Sequence, residues 1–381
     1  MAAQPRLKLC LIGLGRLGAL RAKILAFEQP RVDLVAVCDT KPGADEWAAS
    51  NLPPSVKFFP TPEECMKNSG AQAVLISTAT ATHAELICLA LDLDLHVMCE
   101  KPISVDIITT EEVVTKSASK PHLKFLLPFS RRYDESYRAT KRMADNGQLG
   151  EIHGVEASCL DPQDKNAFYV TFSQQSGGIF VDAGIHLVSK PVGRPLVFWA
   201  NFVKIDAGRY FLGVDKNIPN PKKQVKRVVA FGQQAVYGEL AKFGDADNAW
   251  GLVEFSNGKI LQTTLSRTIT NGFEASTRVC GTKGHSVING NSTLNRVEIR
   301  DEYGVRTTST PDAFALYDKT FINDIAEFAT AVLDDLPLSC SPQDAYEAGK
   351  IACALQHSFR LGEPVFFNED GQPILKPLPG Q

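Results

Sequence analysis

The chain has 381 residues, enough for two domains and a substantial core, and its 44% apolar and 22% charged residues are the proportions of an ordinary globular protein. A formal net charge of −3 gives no electrostatic reason to expect nucleic acid or an anionic membrane as a partner. No run of about 18 apolar residues is present, so no membrane span is expected, and the opening MAAQPRLKLCLIG lacks a cleavable signal pattern.

In chain order, LKLCLIG reads as a strand and RLGALRAKILAF as a helix. VDLVAVCD (strand), TPEECMKN (helix), AQAVLIST (strand), HAELICLALDL (helix), HVMCEKP (strand), IITTEEVVTKSAS (helix) and LKFLLPFS (strand) follow. Apolar runs of strand length alternating with helices predict βαβ units and a parallel sheet covered on both faces. After about residue 130 the pattern changes. A helix, ESYRATKRMADNGQ, leads into strand-like runs: IHGVEASCL, VKRVVAFGQQAVY, AWGLVEFSNGKILQTTLSRT, EASTRVCGTKGHSVIN and RVEIRDEYGVRTTST. SNG between two such runs is a hairpin signal. Two helices close the series, DKTFINDIAEFATAVLD and SPQDAYEAGKIACALQHSFRLG, the second with Gly362 at its C-cap. The expected fold is therefore an α/β Rossmann dinucleotide-binding domain over 1–126. An α+β domain with a large, mostly antiparallel open sheet follows over 127–366, and a loosely held tail over 367–381. The nine cysteines are scattered, without C-x-x-C and mostly within apolar runs. They read as buried free thiols in a reducing, cytoplasmic setting, with no disulfide framework and no metal site.

LCLIGLGRLG carries G-x-G-x-x-G at Gly13, Gly15 and Gly18, after a strand and opening a helix. Gly13 permits the tight turn, Gly15 lets the backbone approach a pyrophosphate, and Gly18 lets helix and strand pack closely. The helix N-terminus, through Arg16 and Leu17, supplies amides and the positive dipole end. Asp39, 21 residues past Gly18 at the end of the next strand, is placed to bond the ribose hydroxyls of NAD. It would repel the extra phosphate of NADP, although Lys41 leaves NADP possible. Further along, Glu100-Lys101-Pro102 sits at the carboxyl end of a predicted strand, the edge of an open α/β sheet where ligands bind.

Together with STATATH (77–83), CEKP (99–102), FSRRYDESY (129–137), GGIFVDAGIH (177–186) and LYDKTFINDIAEF (316–328), these motifs give a resemblance to the glucose–fructose oxidoreductase/inositol dehydrogenase (Gfo/Idh/MocA) family. It covers nearly the whole chain and is closest to the myo-inositol 2-dehydrogenases. The combination is specific; no single motif is. The resemblance implies an NAD(P)-dependent oxidoreductase acting on a secondary alcohol of a sugar or cyclic polyol. It implies His186 as general base, the side chain best matched to neutral pH. Lys101 would bond the same oxygen and stabilise developing alkoxide, and Asp182 would orient substrate or base. Thr78, His83, Glu100 and Lys101 would lie along the cofactor site, His83 near the nicotinamide edge and Glu100 fixing its loop. Arg131 would contact substrate or make a salt bridge, Asp161 and Asp206 would contact substrate, and Tyr317 would close the pocket or belong to the core. The resemblance also implies a homodimer or homotetramer formed through the open sheet face.

One segment departs from the family pattern, D-x-G-x-H-x-x-D running into a helix. Here DAGIH (182–186) is followed by LVSKPVGRPLVFWANFVK (187–204) before IDAGRYFLG resumes with Asp206 as the second aspartate. Pro191 and Pro195 fall where a helix should continue, and proline costs roughly 3 kcal/mol in a helix interior. The segment has no acidic residue, three positive charges and a bulky apolar run. It reads as unspliced intron sequence carried in frame; the rival reading is a real insertion forming a lid or interface. If real, it interrupts the helix just after His186, and an enzyme inactivated by it is one alternative. A non-catalytic NAD(P)-sensing regulator of the same fold is another. The Lys101/Asp182/His186 set favours an enzyme, because a sensor has no need of a base.

Overall fold

The computed structural model describes residues 4–104, 106–164, 169–170, 173, 177–182, 200–214, 225–291, 293–302 and 304–378. They fall into two units, 1–134 with 319–346 and 135–318 with 347–381.

The first unit opens with β1 (Leu7–Ile12), α1 (Arg16–Phe27), β2 (Val32–Cys38), α2 (Ala44–Asn51), β3 (Lys57–Phe59) and α3 (Pro62–Asn68). It continues with β4 (Ala73–Ile76), α4 (His83–Asp92), β5 (His96–Cys99), α5 (Ile107–Ala118) and the short β6 (Phe125–Leu126). The strands are parallel, in the order β3-β2-β1-β4-β5-β6. This is a doubly wound sheet with its switch point between β1 and β4. Ala73, Val74, Leu75 and Ile76 of β4 are all wholly buried, which is what helices on both faces of a parallel sheet require. Local chemistry sets the helix starts. The Thr61 hydroxyl accepts the Glu64 amide with Pro62 in the first turn of α3, and the Asp106 carboxylate accepts the Thr109 amide at the start of α5.

The second unit contains α6 (Glu135–Asp145), β7 (Ile152–Pro162), α7 (Ile179–Asp182), α8 (Ala200–Leu212), β8 (Val225–Gln233), β9 (Asn248–Phe255) and β10 (Ile260–Ile269). Then come β11 (Thr277–Gly281), β12 (Gly284–Ile288), β13 (Thr293–Asp301), β14 (Gly304–Ser309) and α9 (Ala313–Leu316). The chain returns to the first unit with α10 (Thr320–Leu333) and the start of α11 (Pro342–Leu361), and ends in the second with β15 (Val365–Phe366).

Seven strands form one sheet, β12-β11-β7-β10-β9-β8-β15, antiparallel throughout except for β7 beside β10. The SNG signal is the β9–β10 turn, with Gly258 at φ +81. One sheet face is buried by Val228, Ala249, Val253, Leu261 and Leu265. The other presents Phe231, Trp250, Leu252, Ile260 and Phe366 to solvent. Phe231 and Trp250 lie side by side in register, as do Val229 and Leu252.

The tail is held more firmly than its composition suggests. The Ile374 amide donates to Phe366 and the Lys350 ammonium to the Gly371 carbonyl. Lys376 gives its carbonyl to His357 Nε2. A turn at Asn368–Gly371 folds the chain back on itself and so supplies these partners. The presumed insertion also contributes structure, because α8 begins at Ala200 and takes its first turn from residues 200–204. Residues 183–199 lie outside the described residues.

Candidate active site

At the carboxyl edge of the parallel sheet, the turn after β1 is built by necessity of glycine. Gly13 has φ +97, and a Cβ there would stand 2.5 Å from the Ser77 carbonyl oxygen. A Cβ on Gly18 would stand 2.0 Å from the Gly13 oxygen, whereas one on Gly15 would meet nothing within 4 Å. Two glycines thus serve packing and the third leaves the backbone open to a ligand. Gly15 caps α1 without a side-chain bond, and the first turn carries no acidic residue. The amides of Arg16, Leu17 and Gly18 precede the first internal helical bond, from Ala19 to Gly15, and suit an anion. The Leu17 side chain is in the core, so its contribution is its amide.

Asp39 is fixed against this turn. Its Oδ2 accepts the Leu14 amide at 2.6 Å and its Oδ1 the Lys41 amide at 2.8 Å, while the Gly13 amide donates to Cys38. A carboxylate held at that spot matches ribose recognition. The glycine turn, the uncapped helix start and Asp39 together fit a dinucleotide. Thr78 follows β4, with its hydroxyl 2.8 Å from that of Thr82.

His83, placed by the sequence reading near the nicotinamide edge, turns both ring nitrogens toward backbone carbonyls. It is 1% exposed, with Nδ1 2.7 Å from the Pro102 carbonyl oxygen and Nε2 3.2 Å from that of Thr78. The ring therefore braces the turn that carries Lys101. Burial holds its pKa below the ordinary histidine value of 6.5, against the opposing pull of the two carbonyls and Glu100. The unfolded chain takes up this proton at higher pH than the folded one. The stability contribution is thus intact above about pH 6.5 and falls as the pH drops through that value toward the lowered folded pKa. His83→Gln is expected to flatten the acid side of the stability profile. Thermal unfolding measured from pH 7 to pH 5 checks this, and an unchanged slope would count against it.

Glu100-Lys101-Pro102 leaves the end of β5. Glu100 is 8% exposed and ion-paired to Arg21 at 2.7 Å. Lys101 is half-buried and its bond to Pro102 is cis. Arg131, in a one-turn 3₁₀ segment after β6, is 4% exposed and donates to the Ser130 hydroxyl. Beside it Arg132 is ion-paired to Asp344 at 3.3 Å. No sequence motif had marked Arg21, although it lies one helical turn past Leu17 on the apolar side of α1, a placement that itself is a signal.

Within the second unit, Asp182 ends α7. The start of α7 is fixed by two buried side chains: the Ile179 amide donates to Asp245 and the Phe180 amide to Gln356. Asp245 is paired with Arg267 at 2.9 Å, both wholly buried. Gly178, at φ +108, lies where a Cβ would stand 2.4 Å from the Gln356 side chain, which explains a glycine pair at 177–178. Asp161 in β7 and Asp206 in α8 are wholly buried. Tyr317 is 3% exposed; its hydroxyl accepts from Asn289 and donates to the Ala275 carbonyl, so the core reading fits it. His186 lies outside the described residues.

Three family models match the chain. They are the oxidoreductase family's NAD-binding Rossmann fold at 7–125, the GFO/IDH/MocA C-terminal domain at 137–189 and the family's C-terminal alpha/beta domain at 205–367. The chain belongs to the Gfo/Idh/MocA oxidoreductase family. Residues 7–125 are that family's NAD-binding Rossmann domain, and residues 190–204 fall in neither C-terminal match. Among family relatives, the Bacillus subtilis uncharacterized oxidoreductase YrbE is 28% identical over 93% of this chain and 95% of its own. The Thermotoga maritima myo-inositol 2-dehydrogenase is 26% identical over 92% and 95%. The crystal structure of scyllo-inositol dehydrogenase from Lactobacillus casei, with bound NAD(H) and scyllo-inositol, superposes with a TM-score of 0.82. It is 26% identical and covers 95% of this chain and 99% of that one. Among the described residues no cluster suited to a metal ion occurs and no helix is long and apolar enough to cross a membrane.

Proposed function

We propose that this oxidoreductase moves hydride between NAD and a secondary alcohol of a cyclic polyol, with an inositol as first candidate. The observation that carries the reading is the braced Glu100-Lys101-Pro102 turn on the same sheet edge as the glycine turn and Asp39. The inositol dehydrogenases among its relatives give the substrate class. NAD, when bound, supplies the hydride acceptor. Lys101 donates a hydrogen bond to the substrate hydroxyl and stabilises the charge that grows on its oxygen. His186 takes the hydroxyl proton, and Asp182 orients the base or the substrate. Arg131, Asp161 and Asp206 are buried polar groups suited to the remaining hydroxyls.

The test is NADH formation with NAD and a polyol panel led by myo- and scyllo-inositol. No turnover on any polyol, with NAD bound, would move the reading to another alcohol. One observation favours a second reading, an enzyme silenced by its own insertion: the family matches break at 190–204.

The protein is further proposed to act in the cytoplasm as a homodimer or homotetramer joined through the open sheet face. A row of exposed Phe231, Trp250 and Leu252 is a large apolar surface to leave in water. Trp250→Glu is expected to sediment as a monomer while the parent sediments as a dimer or tetramer. A parent that is itself monomeric would remove the proposal.

A further inference from the structure

A buried charge cluster in the first unit surrounds Arg21, which is 1% exposed. Its Nε donates to Glu100 Oε1 at 2.8 Å. Nη1 and Nη2 grip Asp324 of α10 as a fork, at 2.7 and 2.8 Å. Nη1 also donates to the Phe321 carbonyl, and the guanidinium lies 4.8 Å from the centre of the Phe321 ring. Glu100 and Asp324 are 8% and 2% exposed.

Packing alone does not call for this arrangement. Apolar residues of similar volume usually replace a buried ionic cluster at no loss of stability. What apolar residues lack is direction: the planar fork of a guanidinium sets the orientation of each carboxylate it holds. One of those carboxylates belongs to the residue immediately before Lys101. The Glu100 amide is tied to the Ile76 carbonyl of β4, and the far side of the turn is tied through Pro102 to His83. Lys101 is thus the one residue between two anchors, and Arg21 with Asp324 sets the first.

We infer that Arg21, backed by Asp324, is a positioning residue that fixes the Lys101 turn through Glu100. This rests on the reading of Lys101 as the group that meets the substrate oxygen. It assigns α10, which arrives from far along the chain, a part in holding the cofactor-side geometry.

The test uses the full chain and the variants Arg21→Met, Arg21→Lys and Glu100→Gln, with Arg31→Met as control. Arg31 pairs with Asp334 of the same unit but is partly exposed and away from the turn. Two readouts are taken. Hydrogen exchange of the segment 99–104 is expected to rise in Arg21→Met and Glu100→Gln, to be partly restored in Arg21→Lys, and to stay at parent level in Arg31→Met. Exchange across α5 should remain at parent level in all. Turnover in Arg21→Met is expected to fall about 10²-fold, the usual cost of an ångström-scale misplacement, with KM for NAD within about twofold. The Arg21→Met/Glu100→Gln double variant should be no worse than either single one, as for residues acting as a unit. Unchanged exchange at 99–104 would overturn the inference. So would a uniform rise through the first unit, which is the mark of lost stability alone. If the parent turns over no polyol, the substrate reading fails, and the exchange comparison still decides this one.

Discussion

Lys101→Met is expected to lower turnover about 10³-fold and to leave NAD binding within about twofold of the parent. Methionine keeps most of the length and apolar stem of lysine and removes only the ammonium. The loss should therefore fall on stabilisation of the developing alkoxide, where deleting one preorganised donor costs about 10²–10³ in kcat. In the proposed site NAD is held elsewhere, by the α1 amides and by Asp39. Fluorescence titration with NADH beside steady-state kinetics checks both halves. A variant that loses NADH binding in step with turnover would make Lys101 a cofactor ligand instead. One that keeps full turnover would remove it from the chemistry.

Exchanging residues 187–204 for a single aspartate is expected to raise turnover by about 10²-fold or more. In the shortened chain Asp182, His186 and Asp206 stand at i, i+4 and i+7. That spacing places all three on one helical face. In the full chain the position three residues before Asp206 is Val203, 3% exposed in α8. The segment thus separates, along the chain, His186, the proposed base, from the aspartate it would otherwise share a face with. Catalysis tolerates about an ångström of displacement at a cost near 10²-fold. Equal turnover in both chains would make the segment a tolerated loop, and a messenger RNA lacking these codons would show that cells make the shorter form.

Much of this was readable in the residues. The alternation of apolar runs and helices in the first 126 residues specifies a parallel sheet, because a strand buried on both faces needs no polar alternation. The glycine spacing specified the tight turn after β1, since steric limits at Gly13 and Gly18 leave few alternatives. Long-range pairing was not readable. Nothing in LGALRAKIL says which carboxylates will meet Arg21, because its partners are set by packing between distant segments. The same holds for Asp245, whose role is to receive the Ile179 amide. The partners of His83 were not readable for a related reason: its motif says where it sits along the chain, while its hydrogen-bond partners depend on how the Pro102 turn folds over it.

The return of 319–346 to the first unit has a consequence for synthesis. Arg21 and Asp324 are 303 residues apart. At 5–20 residues per second, the stretch from 134 to 319 takes roughly 10–40 s to make. Throughout that interval the nascent Rossmann sheet has emerged with Arg21 still lacking Asp324, and the second unit is made inside the gap. A fragment ending near residue 126 would carry the whole glycine motif but not the helix that completes its charge cluster, so a cofactor domain cut at that boundary would be the wrong piece to express.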